Sequence, residues 1–115
     1  MAWEIETTDE YDVWFLEQDE NGQEVIRMKV ELLAEYGPQL PRPHADTLKG
    51  SKLSNLKELR AQTENHVLRV VFIFDEERKA VLLIGGDKKG KDEKRFYRNL
   101  IKQAEEIYRQ YQNDQ

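Results

Sequence analysis

Cysteine is absent, so neither a disulfide staple nor a thiolate nucleophile or ligand takes part in this protein's structure or chemistry. A reducing compartment is therefore compatible with it. No apolar run approaches the roughly 20 residues that a helix needs to cross a bilayer. Met1-Ala2-Trp3-Glu4-Ile5-Glu6 lacks the basic start and apolar centre of a secretory signal. The expectation is a soluble cytoplasmic protein with no membrane partner. Histidine is scarce: His44 and His66 have no further ligands at helical or hairpin spacing, so no metal site is expected. Ser51 and Ser54 have no Ser/His/Asp arrangement around them. Internal repeats and linkers are also missing, and no cofactor is implied.

Apolar residues make up only 38% of the chain and charged residues 36%. Even so, the aromatic residues, 10% of the total, are spread along the whole length, unlike those of a disordered chain. With 115 residues there is room for one core and one domain, 1–115. The net charge of −5 conceals an asymmetry. Residues 1–36 hold 11 acids and two bases, Arg27 and Lys29; subtraction from 23 acids and 18 bases leaves 12 acids and 16 bases in residues 37–115. Two readings stand: a basic face that meets a polyanion, or a mixed solvated surface.

Trp3-Glu4-Ile5-Glu6 alternates and predicts a short strand. Thr7 and Thr8 offer a helix N-cap, with Asp9 and Glu10 suited to the first turn and Tyr11, Trp14 and Phe15 at helical spacing. Asn21-Gly22-Gln23-Glu24 has the form of a capping box ahead of a second helix, whose inner stripe is expected at Val25, Met28, Leu32 and Tyr36. Gly37-Pro38 ends it. All three prolines, Pro38, Pro41 and Pro43, fall in residues 37–54, predicted to be irregular and anchored by Leu40 and Leu48. The period then becomes two. Leu56–Ala61, Val67–Asp75 and Ala80–Gly85 predict three strands, the last two joined as a hairpin by Glu76-Glu77-Arg78-Lys79. A final helix is predicted from about Asp92 to Tyr111, with Tyr97, Leu100, Ile101, Ala104, Ile107, Tyr108 and Tyr111 on one side. The order β-α-α-β-β-β-α implies an α+β fold, a small mainly antiparallel sheet with helices packed on one face.

Strand alternation sorts the polar residues. Leu68, Val70, Phe72 and Phe74 share one face of their strand, so Arg69 lies on the other. If Leu59 joins that apolar face, Glu58, Arg60 and Arg69 converge on the opposite, open face. An arginine in an apolar strand is costly unless paired or solvated. It is either half of a structural pair with Glu58 or part of a site. Gly85-Gly86-Asp87-Lys88-Lys89-Gly90-Lys91 has the spacing of a phosphate-binding P-loop, but the position after the lysine is Asp92 and no parallel βαβ unit surrounds it. A nucleoside triphosphatase is excluded. A solvated lysine loop or a phosphate-backbone contact remains. His66 reads as a turn histidine or as a neighbour of the open face, and Tyr97 as core or as a residue facing the lysine loop.

The local text resembles RelE-family toxins, and their HigB-like branch in particular. The resemblance rests on Leu32-Leu33-Ala34-Glu35-Tyr36-Gly37, Arg42-Pro43, Leu48-Lys49-Gly50, Asn55-Leu56-Lys57-Glu58-Leu59-Arg60, Leu68-Arg69-Val70-Val71-Phe72 and Gly86-Asp87-Lys88. It implies a β-α-α-β-β-β-α toxin domain that enters the ribosome, cuts mRNA without a metal, and is silenced by a cognate antitoxin, expected to be a helix-turn-helix protein. Carried over by matching strands, Arg69 is the phosphate-clamping arginine, Arg60 the arginine of the preceding strand, Lys88 the basic residue after the last strand, and Tyr97 the tyrosine that opens the last helix. Lys57, Lys89 and Lys91 would bind RNA. Two departures stand out. Leu56 and Glu58 occupy the strand where RelE carries lysines, so that Glu58 becomes a candidate general base, and the chain is acidic where such toxins are basic. Two other implied functions are a ParE-like gyrase inhibitor that cuts nothing and a degenerate, antitoxin-binding regulator.

Overall fold

The computed structural model describes residues 2–114. Strand β1 (Glu4–Thr7) leads into helices α1 (Asp9–Leu16) and α2 (Glu20–Tyr36); a 3-10 turn (Gly37–Gln39) and strand β2 (Ala45–Thr47) follow. Strands β3 (Leu56–Gln62), β4 (Val67–Phe74) and β5 (Lys79–Asp87) precede the long helix α3 (Glu93–Asn113). The sheet runs β1-β5-β4-β3-β2, with β1 parallel to β5 and every other pair antiparallel. The four predicted strands and three helices all form. Strand β2 was not foreseen: three residues beside the prolines carry no legible alternation, and only pairing with β3 makes them a strand.

Local chemistry sets the helix starts. The Thr8 hydroxyl accepts from the Tyr11 N–H at 3.1 Å and donates to the Leu83 carbonyl at 2.7 Å, so one buried side chain caps α1 and ties it to β5. Helix α2 is capped by Asp19, whose Oδ1 accepts from Gly22 N at 2.7 Å, and not by the capping box at Asn21. Its buried stripe is correspondingly Gly22, Ile26 and Leu33, whereas Met28 and Tyr36 are about half exposed, at 52% and 49%. The earlier cap rotates the stripe, and Gly22 lets the helix lie close to Leu68. Gly37 ends α2 at φ 56°, where a Cβ would meet the Trp3 indole at 2.3 Å; both the dihedral and the contact require glycine.

Helices cover both faces of the sheet, which corrects the expectation that they share one. Helices α1 and α2 bury Tyr11, Ile26 and Leu33 against Leu59, Leu68, Val70, Phe72 and Leu82. On the other face, α3 buries Phe96, Leu100, Ile101 and Ala104 against Leu56, Val71, Ile73, Val81 and Leu83. The reason is that β4 and β5 are apolar at successive positions, as strands covered on both sides are. A helix with an apolar stripe as long as that of α3 needs such a face. Between Val71 and Phe72 the partner on β5 jumps from Ile84 to Leu82, leaving Leu83 as a bulge. Beyond the bulge Gly85 lies under Trp14 of α1, and Gly86 lies against Phe96 of α3.

Candidate active site

The α3 face of the sheet carries Glu58 and Arg60 from β3 and Arg69 from β4, with Arg60 and Arg69 directly opposite each other. Two like charges in that position repel, so the pair needs an anion. Glu58 supplies it from deep within the face, with only 2% of its surface exposed. Its Oε2 accepts from Arg60 Nε at 3.1 Å, and its Oε1 accepts from the Tyr97 hydroxyl at 2.8 Å and lies 3.6 Å from Arg69 Nε. Arg69 Nε also donates to the Tyr97 oxygen at 3.2 Å, and Arg69 Nη1 to the Leu68 carbonyl at 3.0 Å. Burial, reinforced by the neighbouring carboxylate, raises the Tyr97 phenol above its ordinary range despite Arg69. Tyr97 is therefore a neutral hydroxyl held between an anion and a cation.

A second ring of charges surrounds this centre. Asp46, paired across the ladder with Glu58, accepts from Arg60 Nη2 at 3.2 Å and from Arg42 Nη2 at 2.6 Å. The Arg42 hydrogen bond is the main reason its carboxyl lies below the usual range. Lys88 Nζ donates to Glu93 at 2.7 Å and stands 5.6 Å from the centre of the Tyr97 ring. The face is not open: α3 crosses it, and Arg69 is 7% exposed. Arg60 and Lys88 keep 33% and 22% of their side chains exposed, and this partly exposed rim by the start of α3 is the mouth of the site.

The predicted site residues thus divide. Arg69, Arg60, Glu58, Tyr97 and Lys88 come together. Lys89 reaches the Glu64 carbonyl at 3.5 Å, while Lys91 turns toward Phe96, 5.8 Å from its ring, on the α1 side of α3. Lys57 lies between Leu56 and Glu58 and so points to the opposite face, where its Nζ donates to Thr47 at 3.2 Å. Asp46, Arg42 and Glu93 were missed. Asp46 belongs to the unforeseen strand, and only the fold brings Glu93 to the site. His66 lies outside it, with Nδ1 2.6 Å from Asp87 and Nε2 3.0 Å from Asp19. Among the described residues no cluster of three His, Asp or Glu side chains is disposed to hold a metal.

The five-stranded sheet with this connectivity and its three helices define the class: the RelE-like fold. The solved structure of isolated Escherichia coli RelE toxin superposes with a TM-score of 0.63 at 13% identity, over 88% of this chain and 97% of that one. The archaeal RelE–RelB complex of Pyrococcus horikoshii gives 0.57 at 16% identity, over 79% and 100%. Residues 13–109 match the family model described as "Phage derived protein Gp49-like (DUF891)". Two Mycobacterium tuberculosis proteins that carry toxin names are similar in sequence. HigB3 is 38% identical over 93 residues, 81% of this chain and 79% of that protein. HigB2 is 34% identical over 99 residues, 85% of this chain and 49% of that protein, so the chain spans about half its length. The chain belongs to the Gp49-like family, is similar in sequence to proteins named HigB toxins, and has the RelE-like fold.

Proposed function

We propose that this protein is a toxin domain of a type II toxin–antitoxin pair, acting in the cytoplasm as a ribosome-dependent endoribonuclease that cuts mRNA. The observation that carries the reading is the grouping of Arg60, Arg69, Lys88, Glu58 and Tyr97 at one mouth, on a RelE-like fold in a HigB-like chain. Cleavage at a 2′-hydroxyl forms an O2′–P bond and breaks the P–O5′ bond. It needs a base for the 2′ proton, an acid for the 5′ oxygen, and cations for the charge gathering on phosphorus. In this reading Lys88 and the two arginines meet the phosphate. Glu58 is the base once Tyr97 and Arg60 release an oxygen, and the neutral Tyr97 hydroxyl protonates the leaving oxygen. The proteins whose folds it shares include toxin–antitoxin complexes. An antitoxin partner, expected to carry a helix-turn-helix, follows by the same reading.

Induction in a bacterial cell is expected to halt translation and to leave mRNA cut within coding frames, as mapped by sequencing 5′ ends. Purified protein should leave naked RNA nearly intact, because the ribosome is needed to orient the 2′-hydroxyl. A DNA-damage response with intact mRNA would instead assign the chain to the gyrase-inhibiting class. Growth arrest with neither would point to a non-catalytic binder.

A further inference from the structure

Three carboxylates share the mouth with its cations, and they differ in one respect. Glu58 has a side chain 3% exposed with both oxygens engaged, and Asp46, 23% exposed, is held by two arginines. Glu93 is 70% exposed at the first turn of α3, and its one hydrogen-bond partner among the described residues is Lys88. Resting on the nuclease reading above, we propose that Glu93 is a resident stand-in for an RNA phosphate: substrate enters by exchanging the Lys88–Glu93 pair for a Lys88–phosphate pair.

The geometry supports an exchange. Lys88 Nζ, 2.7 Å from the carboxylate, lies 5.6 Å from the centre of the Tyr97 ring whose hydroxyl Arg69 and Glu58 hold. The lysine hydrogen bond is the chief reason the Glu93 carboxyl lies below its usual range, and the charges of Arg69 and Arg60 act in the same direction. One anionic position therefore feels all three cations that the proposed reaction directs at phosphorus. Being exposed, Glu93 can swing into solvent at the cost of a single ion pair. Until it does, Glu93 occupies the Lys88 ammonium and competes with phosphate for it, which lowers the affinity for free RNA. Glu93 is thus a specificity-determining residue that acts through Lys88.

The test is binding of a short, uniformly 2′-O-methylated oligoribonucleotide, which cannot be cut, at low salt. Dissociation constants are compared for the wild type, Glu93→Gln, Lys88→Met and the double variant, each checked for folding by thermal melting. Glu93→Gln should tighten binding about two- to fivefold, the worth of one exposed ion pair, and that gain should vanish in the Lys88→Met background. Unchanged or weaker binding in Glu93→Gln overturns the proposal and leaves Glu93 as a favourable charge at a helix start. So does an equal gain in both backgrounds, which would be plain repulsion, or no binding by any variant. The nuclease reading is judged separately: it stands or falls with mRNA cleavage on induction of the wild type, whatever the oligonucleotide shows.

Discussion

Arg69 lies in the middle of an apolar strand with almost no exposure, and its charge is met by Glu58 and the Tyr97 oxygen. Arg69→Ala is accordingly expected to act twice. It takes one of two arginines from a buried carboxylate that keeps Arg60 and Tyr97, which lowers the melting temperature, and in the proposed reaction it removes a phosphate contact worth about a few hundredfold in rate. Tyr97→Phe separates these effects, since it keeps the ring and the ion pairs and removes only the hydroxyl between Glu58 and Arg69. It should cost about 1.5–3 kcal/mol of stability, the worth of a hydrogen bond to a charged group. If Tyr97 moves a proton, growth arrest should fall by about a hundredfold or more. Full arrest by a folded Tyr97→Phe variant would remove Tyr97 from the chemistry.

At the scale of elements, His66 ties three together. It closes the turn before β4, while Asp87 ends β5 and Asp19 caps α2. The Asp87 hydrogen bond, with Asp19 beside it, raises the imidazole above its ordinary 6.5 despite some desolvation. A raised folded-state value gives a stabilisation that is fully present below about pH 6.5 and is lost as the pH climbs through that value. Wild-type melting temperature should therefore fall by a small step above neutrality relative to His66→Gln, which lacks the step. Parallel melting curves for the two proteins from pH 6 to 9 would contradict the clasp. Asp87 immediately precedes Lys88, so the clasp also bears on the loop that reaches the mouth.

Across the whole molecule one stretch carries charge of a single sign. Asp9, Asp12, Glu17 and Glu20 are exposed on the first two helices, with Val13 and Leu16 among them at 59% and 74% exposure. Across the sheet, at the mouth, Arg60, Arg69 and Lys88 are instead paired with Glu58, Asp46 and Glu93. An acidic surface with apolar side chains suits a basic, partly apolar protein surface and repels nucleic acid. An antitoxin that docks there would block ribosome entry by bulk, with association slowed by salt. Reversing charge in Glu17→Lys/Glu20→Lys should then weaken antitoxin binding and leave toxicity unchanged. Binding that survives this change but is lost in Lys88→Glu would put the antitoxin over the mouth instead.

The order of strands and helices was legible because each period, two or 3.6, is a property of a few neighbouring residues. So was the shared face of Glu58, Arg60 and Arg69, since strand alternation decides it without reference to the rest of the chain. The face on which α3 would lie was not, because β4 and β5 are apolar on both sides and only packing chooses. The same limit hid β2, which exists through its pairing with β3, and the phase of α2, set by Asp19 and the approach of Gly22 to Leu68. It also hid the partners of the site. Tyr97 is 39 residues from Glu58 along the chain and 2.8 Å from it in space. Sequence alone determined which side chains could act together; burial beneath α3 decided which of them meet, since contact depends on the tertiary path and not on local period.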